Sequence, residues 1–279
     1  MSSRRVCISG ASGLLGKQLA QTFSAGGWEV APLCDPAGGR FRLGGPLAPN
    51  AFTDVEVFIH SAYDFKRAGR EACFDTNVEG SIRLLGAARA ARVPRQIFVS
   101  SLSSFPEAAS IYGQSKYSVE QFARANEVAV IRPGLIVNPG GLGIFGKLAR
   151  VARASPVVPL PGRGDQPQYL VGVRELADFT LARSGASAWD PTQLTMAAHR
   201  TPFTIREIVR RIGRARFPLT ICVPIPLALL RWGLAAFRRL GIELPFKEDS
   251  LVGLLNQDPD LGAAELWPDP CREFEDLCG

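Results

Sequence analysis

The stretch that decides the fold is Gly10-Ala-Ser-Gly13-Leu-Leu-Gly16, which lies between an apolar run, Arg5–Ser9, and an amphipathic run, Leu14–Phe23. The first run predicts a buried strand, and the apolar spacing of the second predicts a helix. Between them, Gly10 permits a tight turn, Gly13 lets a pyrophosphate approach the backbone, and Gly16 lets helix and strand pack closely. The helix N-terminus offers free N–H groups and a partial positive charge. The stretch therefore predicts a dinucleotide-binding turn.

An acidic residue after the next apolar run bears on which dinucleotide binds. Trp28–Cys34 is predicted as the second strand, and Asp35 follows it, 25 residues after Gly10. A carboxylate at this position accepts hydrogen bonds from an adenosine ribose and repels a 2′-phosphate. It favours NAD over NADP, although Arg40 and Arg42 follow closely and are suited to a 2′-phosphate.

The second informative stretch is Tyr112-Gly-Gln-Ser-Lys116, within a predicted helix over residues 111–125. Residues four apart lie on the same face of a helix, so the phenol and the ammonium are neighbours. A free tyrosine has a pKa of about 10, and a nearby positive charge favours the phenolate. A tuned proton donor or acceptor combined with a dinucleotide site is typical of an oxidoreductase.

Composition and charge narrow the class of protein. The chain has 279 residues, of which 46% are hydrophobic and 21% charged, with a net charge of +6 and no long basic run. These values indicate a globular enzyme-sized unit with an anionic small-molecule substrate and no nucleic-acid site. Six scattered cysteines predict reduced thiols in the cytoplasm, and with only two histidines no metal site is predicted.

The apolar segment Phe217–Phe237 contains three prolines and Arg231, so it is predicted not to span a membrane. A helix over Pro226–Leu240 carries three arginines beside Trp232 and several leucines. Its packing against its own domain is favoured, and peripheral contact with an anionic membrane is left open. No signal peptide is predicted, because the apolar N-terminal run is short and leads into the glycine turn.

Strands and helices alternate through the middle of the chain, with further strands predicted over Val55–His60, Gln96–Ser100 and Val128–Arg132. This order predicts an α/β fold: a Rossmann-type doubly wound parallel sheet with a small C-terminal substrate-binding cap. We expect residues 1–155 to form the NAD-binding Rossmann domain with the catalytic Ser, Tyr and Lys. Residues 156–279 are expected to be mainly cap, with some elements returning to the first domain.

Several motifs occur in one order along the chain, and together they resemble an extended short-chain dehydrogenase/reductase of the NAD-dependent epimerase/dehydratase group. That group includes the UDP-glucose 4-epimerases. The matching positions are the three glycines, Asp35, His60-Ser61-Ala62, Asn77-Val78-Glu79-Gly80, Val99-Ser100-Ser101, Tyr112 with Lys116, and Arg132-Pro133-Gly134. The likeness covers about the first 180 residues well and the rest more loosely.

The resemblance implies roles for individual residues. It assigns catalysis to Ser101, which holds the substrate oxygen, Tyr112, which moves the proton, and Lys116, which holds the nicotinamide ribose. It assigns cofactor binding to Gly10, Ser12, Gly13, Leu14, Leu15, Gly16, Asp35, Ser61, Ala62, Asn77, Ser100, Tyr112, Lys116 and Pro133. It assigns substrate binding to Ser101, Tyr112, Asn138 and Arg163, of which Arg163 is suited to a diphosphate. Phe105 departs from the pattern, because an aromatic hydroxyl followed by glycine is usual there.

The resemblance also narrows the reaction. Leu102 and Ser103 stand where related 4,6-dehydratases carry an acidic pair, so elimination of water is disfavoured, and no cysteine lies beside Ser101. Reversible oxidation at a hydroxyl-bearing carbon remains. We expect a nucleotide-sugar epimerase working through a transient 4-keto intermediate. The first alternative is an NAD(P)-dependent reductase or dehydrogenase of a keto-sugar or another alcohol or ketone. The second alternative is a non-catalytic dinucleotide-binding sensor or assembly subunit. A homodimer is left open.

Overall fold

The computed structural model describes residues 4–67, 69–187, 189–226, 248–258, 261 and 266–278. Its strands are β1 (Arg5–Ser9), β2 (Glu29–Ala31), β3 (Val57–His60), β4 (Arg95–Val99), β5 (Ala129–Pro133), β6 (Leu135–Val137), β7 (Val157–Pro161), β8 (Pro167–Gln168), β9 (Leu170–Gly172), β10 (Leu194–Ala197), β11 (Phe203–Thr204) and β12 (Ile221–Ile225). Its α-helices are α1 (Leu14–Ala25), α2 (Arg70–Cys73), α3 (Gly80–Ala90), α4 (Ile111–Ala125), α5 (Gly143–Ala154), α6 (Val173–Gly185), α7 (Ile205–Arg214), α8 (Glu248–Leu255) and α9 (Arg272–Cys278).

A six-stranded sheet forms the centre of the molecule, in the order β10-β5-β4-β3-β1-β2. Every neighbouring pair in it is parallel. From the inner strand β1 the chain passes to β2 on one side, and it then crosses over to β3 on the other side of β1. The carboxyl ends of β1 and β3 therefore flank the topological switch point, where ligands bind in folds of this kind. The predicted α/β class with a Rossmann-type parallel sheet is confirmed.

Helices cover both faces of the sheet, because its strands are apolar on both sides. On one face, Leu19 and Phe23 of α1 and Leu176 of α6 share a core with β1, β3 and β4. On the other face, Leu84 of α3 and Val119 of α4 share a second core with the same strands. This is the doubly wound arrangement, and it fixes the N-terminus of α1 beside the switch point.

A third core lies mainly in the C-terminal half of the chain. The parallel pair β7–β12 packs with α5 and α7, and the core includes Phe145, Leu160, Ile208 and Phe274. Helix α7 begins with a capping box, in which the side chain of Thr204 accepts from the backbone N–H of Glu207. Strand β10 joins the six-stranded sheet, and α6 packs on the same face of that sheet as α1. Part of the segment after residue 156 therefore packs with the N-terminal half of the chain.

The structure differs from the sequence predictions in two local elements. Strand β2 spans only Glu29–Ala31 of the predicted 28–34, because Pro32 lacks the N–H that would continue the ladder. The motif Asn77–Gly80 lies in a helical segment that begins as the short α2 and passes through a π-helical turn, Phe74–Glu79, before α3. A 3.6-residue apolar spacing carries no signal for the extra residue of a π-turn.

Two further predictions concern membranes and cysteines. Among the described residues, no helix is long and apolar enough to cross a bilayer. The helix predicted over 226–240 lies, beyond residue 226, outside the described part of the chain. All six cysteines are free thiols, and four of them are buried.

Candidate active site

The glycine turn after β1 is shaped by close backbone approaches. Gly10 has a φ of +75°, and a Cβ there would lie 2.8 Å from the Cα of Ala62, at the end of β3. A Cβ at Gly16 would overlap the carbonyl oxygen of Gly10. Each position thus requires glycine, the first for its backbone conformation and the second for contact between helix and turn.

The N-terminus of α1 is open toward this turn. Its cap residue, Gly13, makes no side-chain hydrogen bond, and the first turn of the helix carries no acidic residue. Ser12 and Gly13 are exposed, whereas Leu14 and Leu15 are half-buried. The free N–H groups and the helix dipole therefore face outward at the switch point, so the residues present fit the pyrophosphate of a dinucleotide.

A buried network fixes the end of β3 against the end of β1. The Ser9 hydroxyl lies 2.6 Å from Nδ1 of His60 and accepts from the backbone N–H of Ala62 at 3.3 Å, while the Ser61 hydroxyl donates to the Ser9 carbonyl at 2.7 Å. Burial lowers the pKa of His60 to about 3, with a smaller contribution from the charge of Lys116. His60 is therefore a neutral, structural imidazole at neutral pH.

Asp35 lies where the sequence predicted it, shortly after β2. Its Oδ1 accepts from the backbone N–H groups of Ala37 at 2.9 Å and Gly39 at 2.8 Å. These bonds close the turn and hold the half-buried carboxylate at the edge of the switch-point crevice.

The predicted catalytic residues come together at the carboxyl end of β4 and the N-terminal turns of α4. Ser110 caps α4 by accepting from the backbone N–H of Gly113 at 2.9 Å, so Tyr112 lies in the first turn and Lys116 one turn further. Ser101 lies near Tyr112, close enough for its side chain to lower the pKa of the phenol. The Nζ of Lys116 donates to the Val99 carbonyl at 2.8 Å.

The charge states of this group differ from the sequence expectation. Burial raises the pKa of Tyr112, and the nearby Ser101 side chain lowers it only partly. Burial also lowers the pKa of Lys116 to about 7, although the charge of Glu120 opposes this. The expected phenolate is therefore not favoured without a cofactor, because desolvation outweighs the attraction of a lysine that is itself only partly charged at neutral pH.

Aromatic side chains line the surroundings of Tyr112. The ring of Tyr63 lies 4.9 Å away in an edge contact, and the ring of Phe65 stacks on Tyr112 at 5.7 Å. Phe65 is 58% exposed, so it presents apolar surface beside the Tyr112 ring. The Tyr63 hydroxyl is held by Cys73 and Ser115, each at 3.1 Å.

Sequence analysis missed the buried carboxylate of Glu120. It accepts from the hydroxyls of Ser100 at 2.8 Å and Ser104 at 2.9 Å and forms a two-pronged ion pair with Arg132, at 2.7 and 3.0 Å. Glu120 thus fixes both sides of the loop that carries Ser101. The sequence did contain a signal for this residue, because a glutamate four positions after Lys116 falls on the buried face of α4.

Sequence analysis also missed the segment 248–258, which packs on the same loop and helix. Both carboxylate oxygens of Asp249 accept from the first backbone N–H groups of α4, Ile111 at 2.6 Å and Tyr112 at 3.1 Å. Asp258 contacts Arg132 at 3.0 Å, and its backbone N–H donates to the Leu102 carbonyl at 2.8 Å. No local pattern indicates these contacts, since they join residues about 130 to 160 positions apart.

The remaining predicted residues lie in separate places. Asn77 is buried beneath the loop after β3, where its amide bonds both backbone groups of Asp64. The carbonyl of Pro133 accepts from the Leu102 N–H at 3.2 Å, which places it against the serine loop. Asn138 accepts from Gly140 N–H at 3.0 Å.

Arg163 does not join the group around Tyr112 in any contact of the described residues. Its side chain is 87% exposed and pairs with Asp165 at 3.3 Å. It lies in the loop after β7, where Arg206 shares the same aspartate at 3.5 Å. Its assignment to a substrate diphosphate stays a prediction.

The structure combines a parallel sheet, a glycine turn at its switch point and a Ser, Tyr and Lys group at a neighbouring strand end. Residues 6–129 match the model of the NAD dependent epimerase/dehydratase family.

Similar proteins carry several activities. The chain is 34% identical over 170 residues to a ceramide reductase of Caulobacter vibrioides, which covers 56% of this chain and 53% of that protein. It spans about half the length of this curated relative. The NAD-dependent NDP-hexosamine 5,6-dehydratase TunA, involved in tunicamycin biosynthesis, has a similar structure, with 20% identity and a TM-score of 0.66 over 90% of this chain and 96% of that one.

The UDP-glucose 4-epimerase of Thermotoga maritima is also similar in structure, with 17% identity and a TM-score of 0.65 over 90% of this chain and 97% of that one. Among the similar structures are complexes with NAD and one with NADPH. At these identities the structural likeness supports the fold alone.

Proposed function

We propose that the protein is an NAD-dependent oxidoreductase that reduces a ketone to a secondary alcohol, with Tyr112 as the proton donor. The observation that carries the proposal is the grouping of Ser101, Tyr112 and Lys116: Ser101 is near enough to lower the pKa of Tyr112, and the buried Lys116 lies one helical turn along α4 and donates to the Val99 carbonyl. This group lies at the carboxyl ends of the strands, on the same edge of the sheet as the glycine turn.

The dinucleotide would be held by the open N-terminus of α1 and by the residues around it. The pyrophosphate fits the backbone N–H groups after Gly13, and Asp35 is suited to the adenosine ribose through Oδ2, since Oδ1 closes its own turn. Lys116 uses one N–H bond on Val99, which leaves donors for the nicotinamide ribose. When bound, NAD supplies the hydride donor or acceptor.

The protonation state of Tyr112 favours reduction. Because burial raises its pKa, the hydroxyl carries its proton at neutral pH, as a general acid must. In reduction, this proton passes to the carbonyl oxygen of the substrate as that oxygen gains negative charge. The Ser101 hydroxyl, which lies near Tyr112, would hold the same oxygen in place.

The surroundings of Tyr112 favour a substrate with an apolar group beside the ketone. Tyr63 and the exposed ring of Phe65 offer aromatic surface, and Arg163, the predicted diphosphate ligand, is paired with Asp165 at an exposed loop. A relative named for reducing ceramide, a lipid, supports the same direction. We therefore rank a reductase above the epimerase that the sequence resemblance favoured.

A nucleotide-sugar 4-epimerase is the second candidate, and one observation favours it. A cavity of about 450 Å³ lies against α5 and is lined in part by Gly140, Gly141, Arg150 and Arg153. Its loop approaches the cofactor turn, since a Cβ at Gly143 would lie 3.2 Å from Leu14. Two guanidinium groups are suited to a diphosphate.

The experiment compares wild type with Tyr112→Phe, using Tyr117→Phe on the same helix as the control. The substrates are NADH with a ketone-bearing ceramide in mixed micelles, NADH with a keto-hexose nucleotide, and UDP-hexoses with NAD. We expect stoichiometric NADH oxidation with the lipid ketone, at least about 100-fold lower in Tyr112→Phe and nearly unchanged in Tyr117→Phe. Interconversion of UDP-hexoses without net NADH use would support the epimerase, and full activity in Tyr112→Phe would refute both.

The cofactor is tested separately by binding titrations. We expect NAD to bind more tightly than NADP by at least about tenfold, and Asp35→Asn to narrow this preference because the charge that repels the 2′-phosphate is lost. Tighter binding of NADP to the wild-type protein would contradict the assignment of Asp35.

A further inference from the structure

A cluster of metal-ligating side chains lies where the start of α6, the end of β10 and the C-terminal segment meet. One atom each from Glu175, His199 and Cys271 lie within 4.8 Å of one another: a carboxylate oxygen, a ring nitrogen and the thiol sulfur. His199 and Cys271 are buried, and Glu175 is half-buried. None of these residues takes part in the group around Tyr112.

The hydrogen bonds of His199 leave a place for a cation. Its Nδ1 lies 2.6 Å from the carbonyl oxygen of Pro268 and must donate to it. A neutral ring then presents a lone pair at Nε2, which faces Oε2 of Glu175 at 3.0 Å. Two lone pairs repel at this distance, so either a proton or a metal ion lies between them.

A second acidic residue adds an independent observation. Glu273 is 8% exposed, and its Oε2 is buried with no hydrogen-bond partner among the described residues, whereas Oε1 accepts from the backbone N–H of Arg174 at 2.7 Å. An unpartnered buried carboxylate oxygen costs free energy that a cation would recover.

The two carboxylates converge on one backbone position. A Cβ built at Gly172 would overlap Oε1 of Glu273 and would lie 2.8 Å from Oε2 of Glu175. Both acidic side chains therefore face the same small space beside the backbone, and the backbone N–H of Gly172 donates to Glu175 at 3.1 Å. Repulsion between two carboxylates so placed is what a bound divalent cation removes.

We propose that this cluster binds Zn²⁺ through Nε2 of His199, Sγ of Cys271 and a carboxylate oxygen of Glu175, with the Glu273 carboxylate adding negative charge nearby. Nitrogen, sulfur and oxygen donors in one set suit zinc better than magnesium or calcium, which take oxygen ligands, and a water molecule would complete the four ligands. Usual zinc bond lengths put tetrahedral ligand atoms about 3.4 to 3.6 Å apart. Distances of 3.0 Å from His199 to Glu175 and 4.0 Å from Cys271 to Glu175 bracket this range.

The surrounding bonds are those of an organised site. Histidine ligands usually donate their other ring N–H to a carbonyl or carboxylate, as His199 does to Pro268. Binding of the ion would release the Cys271 thiol proton and the proton shared by His199 and Glu175 to solvent. Because the three ligands come from α6, the end of β10 and the C-terminal segment, the bound ion would fasten α9 and the strand bridge from His199 to Trp267 onto the main body.

Metal content of the full-length, untagged protein tests the proposal. After treatment with a chelator and dialysis against excess Zn²⁺ and then buffer, we expect one zinc per chain in the wild type. Cys271→Ser should lower zinc affinity by more than the about 10- to 100-fold that loss of an outer-shell partner costs. Cys278→Ser, on the same C-terminal helix but outside the cluster, should keep wild-type affinity.

A second measurement does not depend on the folding of a variant. Co²⁺ added to the metal-free wild type should give a thiolate-to-cobalt charge-transfer band and visible bands of tetrahedral cobalt, both abolished by excess Zn²⁺. Zinc should also raise the melting temperature of wild type and of Cys278→Ser. The proposal is wrong if the wild type retains no zinc and gives no thiolate band, or if folded Cys271→Ser binds zinc as tightly as wild type.

Discussion

Replacing Glu120 with glutamine tests whether a buried charge holds the serine loop. The carboxylate is fully buried and receives four hydrogen bonds, two of them from Arg132 and two from the hydroxyls of Ser100 and Ser104. Glutamine has nearly the same shape, so packing is kept and the negative charge is lost. Arg132 is then buried with Asp258 as its remaining anion.

The expected loss of stability follows from this geometry. Removing one partner of a buried ion pair costs about 3–5 kcal/mol, because the other charge stays desolvated. Since Asp258 still contacts Arg132 at 3.0 Å, we expect the lower end, about 3 kcal/mol. For a chain of this size, that corresponds to a fall in melting temperature of roughly 6–12 °C.

Urea unfolding followed by circular dichroism measures this loss, with Glu29→Gln as the matched control. Glu29 pairs with Arg5 at 3.0 Å, but its side chain is 49% exposed, so the loss should stay below about 0.5 kcal/mol. Adding Arg132→Met to Glu120→Gln removes both charges and should recover part of the stability. A loss under about 1 kcal/mol in Glu120→Gln, or a double variant less stable than the single one, would refute the reasoning.

Two further predictions concern the helix of Tyr112 and the cofactor turn. Lys116 has a pKa of about 7 when folded against its usual 10.5, so its buried charge destabilises the fold below pH 7, and this cost disappears as the pH rises toward 10.5. Lys116→Met should therefore gain stability over wild type at pH 6–7 and lose that gain by about pH 10.5, as urea titrations across pH would reveal; a constant difference would contradict it. Gly16→Ala should cost about 1–3 kcal/mol and weaken NAD binding, because its Cβ would overlap the Gly10 carbonyl. Gly86→Ala, in open space on α3, should stabilise by about 0.5–1 kcal/mol; equal effects in the two variants would rule out the close approach at Gly16.

The sequence was sufficient for features that depend on local pattern. Strand β1 has the predicted bounds, and α1 and α4 begin at the predicted residues, because apolar periodicity and glycine or serine boundaries are local signals. The glycine turn was predicted for the same reason, since Gly10 and Gly16 act within a few residues of one another. The parallel direction of the strands followed from the alternation of strands and helices along the chain.

Features that depend on distant residues were not predictable in this way. The clamp of Asp249 on the start of α4 joins residues 138 positions apart, and the cluster of Glu175, His199 and Cys271 joins residues 24 to 96 positions apart. The sequence predicted no metal site because the chain has only two histidines. The fold supplies neighbours that the sequence does not, since His199 follows the last strand of the main sheet and Cys271 precedes the C-terminal helix.

Burial also reversed an inference that rested on charge alone. Adjacent tyrosine and lysine side chains predict a phenolate next to an ammonium, as they would in water. In the folded protein both groups are desolvated, so the tyrosine is favoured as the neutral phenol and the lysine becomes easier to deprotonate. The opposing shifts have the same cause, and they leave a site that holds its proton on Tyr112. A site in this state is prepared to give a proton to a carbonyl oxygen, as the proposed reduction requires.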